Sequence, residues 1–253
     1  MLEAVGLTDV GRRRKLNEDS ILVDPDTSLY AVCDGMGGHN AGEVASKMAI
    51  ESIASFIDKS HKEKEITWPF GLDVNLSFDG NRLKTAIKLA NKKVYKAADN
   101  REEYTGMGTT VVAAVVSANT MTVGWAGDSR AYVLRAGVLT QLTRDDSWVS
   151  AAWAEGILSA SEIEKHPLRN VITKAVGAKE TIETDVVEHR FQPGDIGMLC
   201  SDGLHSMIND EQILAAITPL PATLEETASK LIAAANEAGG KDNVSVVLLR
   251  YSE

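Results

Sequence analysis

Leu29-Tyr30-Ala31-Val32-Cys33 is an apolar run that stops at Asp34-Gly35-Met36-Gly37-Gly38. A run this short and continuous predicts a strand buried on both faces, and the glycines after it predict a turn. The period then changes. From Glu43, positions Ala45, Met48, Ala49, Ser52, Ile53, Phe56 and Ile57 recur at three-and-four spacing, the inward stripe of a helix. Leu83, Ala86, Ile87, Ala90, Val94 and Ala97 repeat that rhythm in a second helix, while His61 to Gly80 has no period and reads as a loop. Past Thr109 come Val111 to Val116, Met121 to Trp125 and Ala131 to Leu134, separated by turn residues. These predict an antiparallel meander with Asp128 on the hairpin turn between the last two strands.

The remaining third follows the same logic. Ser159 and Glu162 have capping-box spacing, so a short helix opens there and Pro167 closes it. Met198-Leu199-Cys200 predicts a strand that halts at Ser201-Asp202-Gly203. Asn209 with Gln212, and Thr223 with Glu226, predict the caps of two further helices, and Val244 to Arg250 a final strand after Lys241-Asp242-Asn243. Strands in series flanked by helix pairs predict sheet packed on sheet with helices outside, an α+β sandwich. Residues 1–253 suit one such domain.

Apolar residues form 44% of the chain and charged residues 25%, the balance of a globular protein with a large core. A net charge of -10 argues against nucleic acid or an anionic membrane as partner, since both require a basic surface. In the basic cluster Arg12-Arg13-Arg14-Lys15, the residues Arg12, Arg13 and Lys15 read, as a charge run, as a solvated patch. Cys33 and Cys200 form no disulfide framework and predict buried small hydrophobes in a reducing compartment. No apolar run approaches the length of a membrane span or resembles a signal peptide, so a cytoplasmic location is expected.

Asp34, Asp128, Asp202 and Asp242 each interrupt or border an apolar strand and lie next to or near glycine. Taken singly, each suits a turn or cap. If they converge, mutual repulsion raises their pKa values unless a cation neutralises them. Oxygen ligands without a His or Cys cluster select Mg²⁺ or Mn²⁺ over Zn²⁺.

Six blocks occur in order along the chain: Gly11-Arg12-Arg13-Arg14-Lys15-Leu16-Asn17-Glu18-Asp19-Ser20, Cys33 to His39, Gly106-Met107-Gly108-Thr109-Thr110, Gly127-Asp128-Ser129-Arg130, Cys200-Ser201-Asp202-Gly203-Leu204 and Lys241-Asp242-Asn243. Together they resemble the bacterial branch of the metal-dependent, type 2C serine/threonine protein phosphatases. The resemblance implies a four-layer αββα sandwich, two central antiparallel sheets flanked by helices, with a metal cleft at one edge. It implies that Asp34 bridges two tightly held Mn²⁺ or Mg²⁺ ions, that the Gly35 carbonyl completes one, and that Asp202 and Asp242 hold the other. Asp34, Asp202, Asp242 and Arg14 are then the catalytic set, with Arg14 the fork for substrate phosphate. Glu18 and Asp19 match acids that reach the ions through water. Asp128 matches the holder of a weaker third cation, shared with Asp202. The expected reaction is direct attack of a metal-bridging water on phosphoserine and phosphothreonine, without a phosphoenzyme. The expected substrates are phosphoproteins made by a serine/threonine kinase, and a monomer is expected.

Two departures stand out. Eukaryotic members have a His two residues after the bridging Asp, where this chain has Met36; His39 is close in sequence and is read as structural, leaving a metal-bound water to protonate the leaving group. Asp145-Asp146-Ser147 stands where bacterial members usually read Asp-His-Ser, just before the flap, Trp148 to about His166. Trp148 and Trp153 suit either core positions or an exposed substrate platform. Gly106 to Thr110 has no Lys and a β-branched sequel, so it reads as a strand entry rather than a phosphate loop. A silent phosphatase fold would be expected to lose one of the acids, and a diesterase or nuclease to carry a basic groove.

Overall fold

The computed structural model describes residues 1–37, 41–63, 67–163, 165–218 and 223–252. Gly38 and His39, and with them the structural reading of His39, lie outside the described residues. In chain order the elements are β1 (Leu2–Asp9), β2 (Asp19–Asp24), β3 (Leu29–Met36), α1 (Ala41–Lys62), α2 (Phe78–Asn100), β4 (Gly108–Thr109), β5 (Val111–Ser117), β6 (Thr120–Ala126), β7 (Arg130–Arg135) and β8 (Val138–Gln141). There follow α3 (Trp148–Ala154), α4 (Ala160–Ile163), β9 (Asp185–Arg190), β10 (Ile196–Cys200), α5 (Asp202–His205), α6 (Asp210–Ile217), α7 (Leu224–Glu237) and β11 (Val244–Tyr251).

Two antiparallel sheets face each other, one ordered β1-β11-β10-β7-β8 and the other β2-β3-β5-β6-β9. Helices α1 and α2 pack on the second sheet, and α7 packs on β1 and β11 of the first. Strand period explains the unbroken apolar runs. In β3, Leu29, Ala31 and Cys33 face the α1–α2 layer, while Tyr30 and Val32 face the other sheet. In β11, Val246 and Leu248 face the helices and Val247 and Leu249 the opposite sheet. A strand covered on both sides has no polar face to alternate with. Both cysteines are fully buried and free, and burial pushes the Cys200 thiol up to about 12.

The helix caps at Asn209 and Thr223 are both reciprocal capping boxes. At α4 the Ser159 N–H donates to Glu162 Oε2 at 2.8 Å, and the Ser159 hydroxyl donates to the same oxygen. The loop expected to reach Gly80 ends earlier: Ser77 caps α2 by accepting the Gly80 N–H at 3.0 Å, so its first turn is polar but helical.

Two further expectations change. Asp34 does not end its strand, because β3 continues through Met36, pairing Asp34 with Asp19 and Gly35 with Thr109. Asp128 is not on a hairpin turn, because β6 and β7 belong to different sheets and the chain crosses between them at Gly127-Asp128-Ser129. Both runs are apolar on both faces, so their pattern is equally compatible with either sheet. The flap segment carries a capped helix, α3, whose N-cap is Ser147. Among the described residues no helix is long and apolar enough to cross a membrane.

Candidate metal centre

Sheet register brings the acids together. β11, β10 and β7 are antiparallel neighbours, with Cys200 opposite Val246 on one side and Arg130 on the other. Asp242 lies two residues before β11, Asp202 two residues after β10 and Asp128 two residues before β7. Antiparallel alternation therefore puts all three at the same edge of one sheet. The facing sheet supplies Asp34 from β3, with Asp19 opposite it on β2. A cleft of about 410 Å³ results, lined by Arg14, Glu18, Asp34, Gly35, Met36, Gly37, Asp128, Asn170, Ile172, Asp202 and Asp242.

Each group is held by identifiable chemistry. Gly35 is required by close approach, since a Cβ there would overlap the carbonyls of Gly42 and Glu18. Its N–H donates to the Glu18 carbonyl at 3.1 Å. The Glu18 carboxylate lies against Gly42 in the first turn of α1, again where a side chain would not fit. Asp242 accepts the Asn243 N–H at 2.9 Å on one oxygen and the Arg14 guanidinium at 2.7 Å on the other. Arg14 is half exposed, and the Asp242 bond raises its pKa further. Arg14 thus sits at the cleft rim.

Asn243 is a positioning residue that the motif reading left without a role. Its amide donates to the carbonyls of Val10 and Leu16 at 3.0 and 2.8 Å, and its oxygen accepts the Glu18 N–H at 2.9 Å. One side chain thereby pins both ends of the arginine loop beside Asp242. Asn170 was also missed, because a lone Asn in a periodless stretch carries no signal. It lines both the acidic cleft and an adjoining pocket of about 460 Å³.

The electrostatics are those of uncompensated anions. Burial first, then Asp19, Asp202, Asp128 and Asp242, raises the Asp34 pKa well above the usual carboxylate range. Burial and Asp242 push Asp202 up to about 6, against a lowering hydrogen bond with Asp34. Burial and then Asp202 push Asp128 up to about 7. Asp34 and Asp202 still keep part of their surface open to the cleft. Asp19 does not line the cleft. It is 7% exposed, its Oδ2 accepts the Ser201 and Ser245 hydroxyls at 2.8 and 2.6 Å, and burial drives its pKa to about 7.

Among the described residues, no three His, Cys, Asp or Glu side chains form a ready-made ligand cage. The fit to a cation rests instead on cleft-lining carboxylates with buried oxygens that lack partners, Oδ1 of Asp128 and of Asp202. A buried ionised oxygen without a donor is costly, and close carboxylates repel unless a shared proton or a cation lies between them. A hard cation that completes its shell with water and a carbonyl such as that of Gly35 needs few carboxylates.

Nearby, Asp145 holds Arg130 through two bonds of 2.8 and 2.7 Å, and Asp146 pairs with Lys174 at 2.8 Å. His205 Nε2 lies 3.0 Å from the Asp128 carbonyl, and burial pushes the ring pKa down to about 3, so it donates as neutral imidazole. In the flap, Trp148 stacks on His166 at 4.8 Å between centroids, whereas Trp153 is 52% exposed. Trp148 is half-buried and belongs to none of the core clusters, so neither tryptophan is a core residue.

A family model described as protein phosphatase 2C matches residues 11–237. The serine/threonine phosphatase stp of Listeria monocytogenes is 34% identical over 249 residues, covering 96% of this chain and 93% of the relative. PstP of Mycobacterium tuberculosis, a serine/threonine protein phosphatase, is 36% identical over 248 residues, 98% of this chain and 45% of that protein. Among solved structures, the serine/threonine phosphatase of S. agalactiae matches with a TM-score of 0.88 at 32% identity over 100% of both chains. The catalytic domain of PstP in complex with two manganese ions matches with a TM-score of 0.84 at 33% identity, over 100% of this chain and 99% of that one.

Proposed function

This chain belongs to the protein phosphatase 2C family, and we propose from that membership that Asp34, Gly35, Asp202 and Asp242 hold the two metals with which it hydrolyses phosphoserine and phosphothreonine on proteins. It is a metal-dependent serine/threonine protein phosphatase. The observation that carries the site assignment is the convergence of four carboxylates from two sheets on one cleft, two of them with buried oxygens that lack a donor. We read residues 1–253 as one catalytic domain acting on the products of a serine/threonine kinase, with Mn²⁺ or Mg²⁺ as the metal.

Asp34 lines the cleft from one sheet, Asp202 and Asp242 line it from the other, and these three with the Gly35 carbonyl would hold the ions. Bound there, paired divalent cations supply a water acidic enough to attack phosphorus and neutralise the ester dianion. Arg14, held at the rim by Asp242, presents its fork to the phosphoryl oxygens. No hydroxyl, thiol or imidazole lines the cleft among the described residues, so the chain offers none of these as a nucleophile. Glu18, at the cleft wall, is placed to bind metal waters, and Asp19 acts behind it through burial and charge.

The test is phosphate release from a small aryl phosphate and from phosphopeptides, with and without chelator. Activity should vanish in chelator, return with Mn²⁺ or Mg²⁺, and be absent on a diester. Arg14→Ala should raise KM roughly tenfold, since a charge-assisted bond at a half-exposed site is worth about 1.5 kcal/mol. Full activity in metal-stripped protein, or hydrolysis of the diester alone, overturns the reading; an unchanged KM removes Arg14 from it.

A third, weaker cation is assigned to Asp128 together with Asp202. Asp128→Ala should fold normally, because the Asp128 Oδ1 has no partner to lose. It should keep two tight ions and lose at least about tenfold in kcat, or 1.4 kcal/mol of barrier. Equal Mn²⁺ stoichiometry and equal kcat in calorimetry and assay would leave the third-metal role of Asp128 without support.

A further inference from the structure

Every polar group of Asp146 is engaged, and by only two pieces of chain. Its N–H donates to the Gly127 carbonyl at 2.9 Å, and its Oδ2 accepts the Gly127 N–H at 3.2 Å. These two bonds clasp the residue before Asp128. On the other side, its carbonyl accepts the Thr173 N–H at 2.7 Å, and its Oδ1 takes the Lys174 ammonium at 2.8 Å. Ser147 forms a β-bridge with Ile172, and the Trp148 N–H donates to the Val171 carbonyl at 2.8 Å. The stretches 146–148 and 171–173 are therefore zipped together at the base of the segment between them. That segment ends at Asn170, which lines the acidic cleft.

The clasp also reaches the metal-facing side. Gly127 has φ +117, and a Cβ there would run into the Thr110 side chain, so the crossing has one tight path. Thr110 Oγ1 shares a hydrogen with Ser129 Oγ at 2.7 Å and accepts the Asp34 N–H at 3.0 Å. The Thr110 N–H donates to the Asp34 carbonyl at 2.9 Å. An unbroken set of contacts thus runs from Asp34 through Thr110, Gly127 and Asp146 to Lys174. Lys174 in turn is shared with Asp185 on β9, also at 2.8 Å.

We infer that Asp146 and Lys174 are positioning residues of the hydrolysis, whose ion pair sets Asn170 at the cleft together with the crossing that holds Asp128. This rests on the phosphatase reading given above. Asp146 is 6% exposed, and a carboxylate so buried needs its countercharge, so the pair holds only in one arrangement of the two segments. The ordinary alternative is an ion pair that stabilises the fold without bearing on turnover. The chemistry of the two readings differs: a positioning pair is non-additive in activity and local in its effect on exchange.

The experiment uses the full chain as wild type, Lys174→Met, Asp146→Asn, the double variant and Lys174→Arg. Amide hydrogen exchange in metal-free protein and kcat/KM with Mn²⁺ on a phosphopeptide are both measured. Each single variant should lower kcat/KM about tenfold, the size expected when a coupling contact is cut. The double variant should be no worse than the worse single, as for two halves of one contact. Lys174→Arg should recover most of the activity. Exchange should quicken about tenfold within 149–171, with β10 and β11 unchanged. Wild-type kcat/KM in the single variants, additive losses, or protection lost evenly across β10 and β11 overturns the inference. Should Asp146→Asn fail to fold, the contrast between Lys174→Met and Lys174→Arg decides. A wild type inactive on every monoester with Mn²⁺ fails the phosphatase reading instead, and the metal-free exchange still decides whether the pair positions the segment.

Discussion

Asp34→Asn protein will be inactive and, without metal, more stable than wild type. The bridging role assigned to Asp34 requires an anionic oxygen for each ion, which an amide does not supply. We expect kcat to fall by at least about a thousandfold, some 4 kcal/mol of barrier. The stability gain has a separate cause. Burial and four neighbouring acids raise the Asp34 pKa, so the metal-free native state must bind a proton that the unfolded chain releases near 3.8. An amide needs no proton and can donate to Asp202 in its place. Metal-free melting at pH 7.5 should rise by several degrees, at about 2 to 4 °C per kcal/mol for a chain of this size. A kcat within tenfold of wild type, or a lower melting temperature, contradicts the assignment.

Metal-free wild type should also lose stability as pH rises from about 4 to above 7, the reverse of ordinary acid denaturation. Asp202 is raised to about 6 and Asp19 and Asp128 to about 7, with Asp34 raised as well. Between 3.8 and those values the native state holds more protons than the unfolded state, so stability is full below 3.8 and declines through the folded pKa values. Each group contributes a slope of up to about 1.4 kcal/mol per pH unit, and because the groups interact the slopes do not simply add. Below pH 4 the salt-bridged Asp195, whose pKa is lowered by Arg135, begins to lose its own stabilisation, which places the maximum near the acid end. With millimolar Mn²⁺ the trend should invert, because metal binding requires the deprotonated ligands. Thermal melts between pH 4.5 and 8, in chelator and in Mn²⁺, measure both arms. A flat or rising metal-free profile would show that the carboxylates do not repel one another as the geometry implies.

These effects depend on acids that their immediate neighbours single out without assigning them to a metal. Asp34, Asp128, Asp202 and Asp242 could be singled out because a carboxylate that interrupts or adjoins an apolar run is conspicuous, whatever the fold does next. The capping boxes at Asn209 and Thr223 were legible for a similar reason, since cap geometry spans only four residues. The half-exposed strands β1, β2, β8 and β9 had no such signature. Their mixed burial leaves neither a continuous apolar run nor a clean alternation. Trp148 and Trp153 stayed open between core and surface because five-residue spacing on a short helix does not fix which side each one meets.

Local composition was enough to predict the buried central strands and the helices that carry a three-and-four stripe, whereas the reading of the acids as an oxygen-ligand metal site rests on the resemblance carried by the six ordered blocks. Each strand or helix depends on the periodicity of a single element. The three-dimensional arrangement decided the remainder: that β7 leaves the sheet of β6, that Asp19 lies behind the cleft while Glu18 lines it, that Asn243 pins the arginine loop, and that Asp146 meets Gly127 and Lys174. All of these are pairings between segments far apart in the chain. Their outcome turns on register and on close backbone approaches such as Gly35 against Gly42, quantities that no single stretch of sequence contains.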